Sequence, residues 1–144
     1  MQKTAGAYVQ LSPAKPTTPI KSIGGLENIG LFVVSILAQP QKTLHGKYVT
    51  AHVEDTTTGQ MLKDWSEVTG KKSVYVQTPL EDFNKVWPVW GEEMGSMMKM
   101  WDEVTDRAWT GEEGILTRDD LGISVKNLAG VKEALAQMDW NALL

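Results

Sequence analysis

The sequence predicts an α+β fold, a reduced form of the α/β architecture in which a small sheet of two to four strands is covered by helices. Three observations lead there. Strand-like and helix-like segments alternate through the first half of the chain, and helices take over in the second. The length of 144 residues suits one domain spanning 1–144. A hydrophobic fraction of 42% with 22% charged residues supports a core at that length without a disulfide or metal staple.

Each element has its own signal. Ala7-Tyr8-Val9-Gln10-Leu11 alternates as a strand does, and Pro13, Pro16 and Pro19 forbid a helix before Ile20. Gly24-Gly25 breaks the chain. Leu26, Ile29, Phe32, Val33, Ile36 and Leu37 then recur at helical spacing until Pro40. The apolar run from Ile29 to Ala38 is about half of the ~20 residues that span a bilayer, so it is expected to be a buried helix. His45-Gly46 marks a turn, and the β-branched, alternating stretch Lys47 to Glu54 reads as a strand. Thr57 and Gln60 fit a capping box for a helix whose apolar face is Met61, Leu62, Trp65 and Val68, with Gly70 as its C-cap. Ser73 to Gln77 is a further strand. Thr78-Pro79-Leu80-Glu81 opens a helix that Pro88 ends near Trp87. A longer helix follows from about Trp90 to Trp109, laced with Lys99–Glu103 and Glu103–Arg107 pairs and closed by Gly111 and Gly114. Leu116 to Gly122 reads as a short capped turn, and a last helix reaches Met138.

Composition removes whole classes of function. Without cysteine there is no disulfide scaffold, thiolate metal site or cysteine nucleophile. A net charge of −4 gives no basic footprint for nucleic acid. Two histidines, only one of them near carboxylates, argue against a zinc site. Gly24-Gly25 belongs to neither a P-loop nor a G-x-G-x-x-G turn and instead suits a tight turn or close packing. The expectation is therefore no cofactor and no metal. With neither a secretory signal nor a membrane span, a soluble cytoplasmic protein is expected.

The stretch richest in unusual chemistry is aromatic and sulfur-bearing. Trp87, Trp90, Met94, Met97, Met98 and Trp101 lie close together, and Trp90, Met94, Met97 and Trp101 share one helical face with Met98 beside it. Deformable methionine beside flat tryptophan suits a pocket for a bulky apolar molecule. The same residues also suit ordinary core packing. His52 and Glu54 project to one face of the expected strand, so a carboxylate-supported imidazole is geometrically available, although a partly exposed strand end with Asp55 capping the next helix explains them as well. Glu92 and Glu93 favour the positive end of the long helix; if Glu93 faced the Trp/Met wall, desolvation would make it a usable acid or base. Tyr8, Tyr48 and Tyr75 read as half-buried strand aromatics, with Tyr75 a polar partner if it reaches the pocket.

Several segments, in order, resemble the NmrA-like proteins of the atypical short-chain dehydrogenase group. They are Thr18-Pro19-Ile20, Asn28 to Leu37, Gly46 to Ala51, Trp65-Ser66-Glu67-Val68-Thr69-Gly70-Lys71, Leu116 to Ile123 and Met138-Asp139-Trp140. The resemblance is to the C-terminal half of that family and to its fungal members. It implies that the Trp/Met helix belongs to the substrate-covering part of the fold and that the strands flank what is elsewhere a larger parallel sheet. The glycine-rich dinucleotide loop and the reductase lysine of the family's N-terminal half have no counterpart here, so no cofactor or catalytic residue carries over.

Three readings follow. The first is a cofactor-independent enzyme, a cyclase or isomerase or a catalyst of a pericyclic step, acting on a bulky apolar intermediate of secondary metabolite biosynthesis. Its pocket would be lined by Trp87, Trp90, Met94, Met97, Met98 and Trp101, with His52, Glu54, Glu93 or Tyr75 as polar partners. The second is a fragment of an NAD(P)H-dependent oxidoreductase; the third is a non-catalytic sensor or interaction module. Open sheet edges lead to the further expectation of a homodimer.

Overall fold

The computed structural model describes residues 2–44, 46–108 and 113–143. They fall into two compact units, one built from Met1–Ile20 and Thr56–Thr110, the other from Lys21–Asp55 and Gly111–Leu144. The strands form a three-stranded and a two-stranded sheet with helices around them, the α+β class expected. Among the described residues no helix is long and apolar enough to cross a membrane. The positions of His45, Trp109 and Gly111, read above as turn, helix end and helix stop, lie outside the described residues.

In the first unit a hairpin joins β1 (Gln2–Thr4) to β2 (Ala7–Ser12). Its two-residue turn, Ala5-Gly6, has φ of 46° and 77°, the double left-handed geometry that matches strand twist. β2 pairs on its other side, in parallel, with β5 (Ser73–Gln77), Val9 opposite Val74 and Leu11 opposite Val76. Alternation puts Val9, Leu11, Val74 and Val76 on one face and Tyr8, Gln10, Ser73 and Tyr75 on the other. The helix α3 (Thr58–Thr69) serves the second face: Trp65 meets Tyr8 edge-on at 5.2 Å, and Ser66 and Ser73 share a 2.5 Å hydrogen bond. Thr57 caps that helix by accepting the Gln60 amide, and Gly70 ends it at φ 66°. The Gln60 side chain turns instead to Asp64, so only half of the expected capping box forms. The helices α4 (Leu80–Val86) and α5 (Trp90–Val104) serve the first face.

The chain leaves this unit within β3 (Pro19–Ser22) and returns within β4 (Glu54–Thr57), and these two strands pair. The strand expected over Lys47 to Glu54 is largely absent. Residues 48–50 make one isolated parallel bridge to Leu116, through Leu116 N–H to Tyr48 and Thr50 N–H to Leu116, and with no strand at Leu116 to extend it the bridge does not grow into a ladder. Tyr48, expected to be half-buried, is exposed.

The second unit has its core in Phe32, Val53 and Leu121, with Ile36, Val49, Ala51, Ile123 and Leu128 against it. Its helices are α1 (Asn28–Ala38), α2 (Pro40–Thr43), α6 (Val131–Gln137) and α7 (Trp140–Leu143). The apolar run does form a helix, but the expectation that it is buried fails: only Asn28 and Phe32 are. Apolar spacing decided the helix, whereas the unit has core on one side of it only. The Gly24-Gly25 reading holds: Gly24 has φ 66°, and a Cβ there would lie 2.1 Å from the Ala129 carbonyl oxygen.

That close approach serves a polar clamp. Asn28, wholly buried, donates from Nδ2 to the carbonyls of Ile23 (2.7 Å) and Ala129 (2.8 Å), and its Oδ1 accepts the Ala129 amide at 3.1 Å. Truncation would leave buried amide and carbonyl groups unpaired. Asn28→Ala is therefore expected to cost about 2–3 kcal/mol in urea unfolding; a loss below about 0.5 kcal/mol, the scatter of an ordinary surface substitution, would contradict the clamp.

Candidate functional site

The first unit contains an apolar cavity of about 770 Å³. Its floor is the first face of the sheet, with Thr4, Val9 and Leu11; Phe83, Trp87, Trp90 and Met98 wall it, and Gln10 contributes at the floor. Strand alternation gives the Gln10 side chain the same row as Tyr8 and Tyr75, leaving Val9 and Leu11 as the floor's side chains.

The walls are set by how α4 and α5 meet. Pro88 ends α4, and Val89 then adopts φ 69°, ψ −63°, with the Trp90 amide bonding the Pro88 carbonyl at 2.9 Å, a γ-turn. That single-residue bend starts α5 at once and brings Trp87 and Trp90 to 6.0 Å, edge to face; Phe83 lies 4.7 Å from Trp87 and 6.0 Å from Trp90. Glycine lets the helices close. A Cβ at Gly91 would lie 3.0 Å from the Asn84 Cα, and one at Gly95 within 2.9 Å of both Leu80 and Phe83. The buried face of α5 is thus Gly91, Gly95 and Asp102. Met98 lies on this side, where its sulfur accepts the Ser12 hydroxyl at 3.8 Å.

The far end of α5 is held by Asp102, whose side chain is 4% exposed. It accepts the Thr18 hydroxyl at 2.8 Å and the Lys15 amide at 3.4 Å, and pairs with the Lys15 ammonium at 3.2 Å and Lys99 at 3.5 Å. Burial opposes the charge, but the Thr18 hydroxyl and the Lys15 ammonium and amide outweigh it and hold the carboxyl below its ordinary value. The loop after β2 and the helix over the cavity are thereby joined.

The residues singled out in the sequence separate. Trp87, Trp90 and Met98 converge on the cavity, while Met94, Met97 and Trp101 are half-buried and not among its lining. Tyr75 lies on the opposite sheet face, its hydroxyl within hydrogen-bond distance of the Ala14 carbonyl at 3.0 Å and of the Thr58 hydroxyl at 3.2 Å. Glu93 is exposed on α5, as is Glu92. His52 and Glu54 belong to the second unit and do not form the expected pair. His52 Nε2 lies 3.4 Å from Asp55, and Glu54 accepts the Val131 amide at 2.5 Å at the start of α6. Asp55 caps no helix; the hydrogen bond from Lys21, at 2.5 Å, chiefly holds its carboxyl low against a small burial cost, with His52 adding to it. Thr4, Val9, Leu11 and Phe83 went unmarked, although the alternation of Ala7 to Leu11 put Val9 and Leu11 on one face and Phe83 stands one turn before Trp87.

Among the described residues, no Asp, Glu, Lys, Arg or His lines the cavity. Among the described residues no group of three or more His, Cys, Asp or Glu is placed to hold a metal ion. The arrangement can enclose a flat, uncharged molecule between rings and strand, offer it the Thr4 hydroxyl, and exclude water from the enclosed face.

Two expectations follow. A carboxylate with a lowered folded value stabilises the fold above its unfolded value and ceases to do so as pH falls through the folded one. Asp102→Ala should therefore cost about 2 kcal/mol at neutral pH, from the buried Thr18 hydroxyl left unpaired. The gap between wild type and variant should shrink as pH drops below the ordinary carboxyl value of 3.8; a pH-independent difference would contradict this. Separately, Val89→Gly relieves a β-branched residue at positive φ and should raise stability by about 1 kcal/mol in thermal unfolding, against the usual direction for glycine.

The matching family model is that of the NmrA-like family, over residues 1–127. No curated protein matches the sequence.

Proposed function

The chain belongs to the NmrA-like family, and on that premise we propose that it binds a bulky, uncharged, apolar small molecule in the cavity of its first unit and converts it without a cofactor. The observation that carries this is the lining itself: about 770 Å³ walled by three aromatic side chains and a methionine, with no charged side chain among the described residues.

The residues present do not fit a dinucleotide. β5 runs into α4 through Thr78-Pro79 with no glycine turn, and the first turn of α4 carries Glu81 and Asp82, which repel a pyrophosphate. At the β4-to-α3 junction the amides of Thr58 and Gly59 bond the Thr18 and Pro16 carbonyls and Thr57 accepts that of Gln60, and at the β3-to-α1 junction Gly24-Gly25 packs against the Ala129 carbonyl, which accepts the Gly25 amide.

The chemistry that suits this lining needs orientation more than proton transfer. A cyclisation, an isomerisation or a pericyclic step gains from being held in a reactive conformer, and effective molarity alone contributes several orders of magnitude in rate. The rings of Trp87 and Trp90, crossing at 71°, would press a flexible apolar intermediate into a folded shape, with the Thr4 hydroxyl as the available hydrogen-bonding anchor. His52, Glu54, Glu93 and Tyr75 have no part in this mechanism, because none lines the cavity. Intermediates of secondary metabolism match the class.

The test is a thermal-shift screen with neutral polycyclic and polyene compounds, alongside NADPH. A ligand at a hundredfold excess over its Kd stabilises by about 2.7 kcal/mol, a shift of several degrees. Trp90→Ala should weaken binding about tenfold or more, and Met94→Ala should leave it unchanged. No shift with any apolar compound, or a saturable shift with NADPH, would refute the reading.

A further inference from the structure

The helix α1 of the second unit carries no charged residue over its whole length, Asn28–Ala38. Away from Phe32 it presents exposed apolar side chains, Ile29 at 47%, Val33 at 46%, Val34 at 66% and Leu37 at 73%, and Leu26, just before the helix, extends the row at 78%, with the exposed Glu27 beside it. Gly30 lies within the stripe, with open space where a Cβ would be. Single exposed aliphatics are ordinary, but a contiguous uncharged row is a contact surface.

We propose that this stripe pairs with the same stripe of a second copy, antiparallel about a twofold axis through the middle of α1. The pattern reads alike in both directions: Leu26 matches Leu37, Ile29 matches Val34, and Gly30 matches Val33 about one centre. A twofold contact is isologous, so each residue must suit its mirror position, and this row does. The notch at Gly30 receives the partner's Val33 in the manner of a knob entering a hole, while leucine meets leucine at both ends. Charge favours the same site. Two chains of net charge −4 repel each other, and a helix without ionised groups, bordered by Glu27 alone, is where they approach at least cost. On these exposures the stripe offers on the order of 500 Å² per copy, so the pair buries on the order of 1,000 Å², the size of a weak but specific interface.

The dimer expected from open sheet edges is thereby assigned to a helix face, independently of the cavity, which lies in the other unit.

Sedimentation velocity on the full chain tests this. The wild type should shift from monomer to dimer mass with rising concentration, with a Kd on the order of 10 μM. Val33→Glu should weaken association at least about tenfold while circular dichroism and thermal midpoint stay at wild-type values. Ile29→Lys and Val34→Glu should each be monomeric alone and associate when mixed, since each meets the other's position across the axis. A wild type that stays monomeric throughout overturns the proposal, including one whose stripe binds neutral lipid vesicles or another protein. So does a Val33→Glu protein that still dimerises, or a mixture that fails to associate.

Discussion

Asp102 decides where the cavity's walls stand. It sits at the end of α5 remote from Trp90 and reaches into the loop that follows β2, where it holds Thr18 and both the amide and ammonium of Lys15. β2 supplies the cavity floor and α5 supplies Trp90 and Met98, so this one carboxylate ties two walls that are 84 residues apart in sequence at the Thr18 contact. A buried carboxylate is costly unless its oxygens are occupied, and here both are. The pin works because the loop Ser12 to Thr18 is proline-rich and turns back on itself: Thr18 bonds the Lys15 carbonyl, and Ala14 bonds the Ser12 hydroxyl.

At the other end of α5 the constraint is steric. Gly91 and Gly95 bring its backbone against Phe83, Leu80 and Asn84, and the γ-turn at Val89 leaves no slack between the two helices. A helix fixed by a polar pin at one end and by close glycine contacts at the other has little freedom to collapse onto the sheet. The space between is what the three rings line. An interior this open loses the dispersion contacts that a filled core would make, so its persistence beside a rigid frame is consistent with a role in binding.

Much of this was legible in the sequence, and the failures have physical causes. Caps and breakers acted where they stood: Thr57, Gly70 and Pro88 bound their elements as expected. Aromatic and sulfur content marked Trp87, and the helical face that marked Trp90, with Met98 beside it, marked more than the cavity uses. Their neighbours Met94, Met97 and Trp101 were drawn in by apolar periodicity, but the tightest face of α5 is its glycine face, invisible to a reading that counts large residues. The spacing Gly91-Glu-Glu-Met-Gly95 was the signal that had meaning. His52 and Glu54 share a face only in a strand running through both, and the strand that forms begins at Glu54. The exposed face of α1 was hidden by a sound rule, since an apolar helix is usually a buried one; the rule assumes a partner on every side.

The two units divide the molecule's apolar surface into two kinds, a concave cleft in one and a convex stripe in the other. The small-molecule binding proposed above places the ligand in the cleft and not on the stripe. The most direct measurement is nuclear magnetic resonance of methyl and indole groups during titration with a neutral polycyclic probe. The account predicts saturable shifts at the methyls of Val9, Leu11 and Met98 and the indoles of Trp87 and Trp90, with Val33, Val34 and Leu37 unmoved. Shifts centred on α1, or none at the cleft, would contradict it.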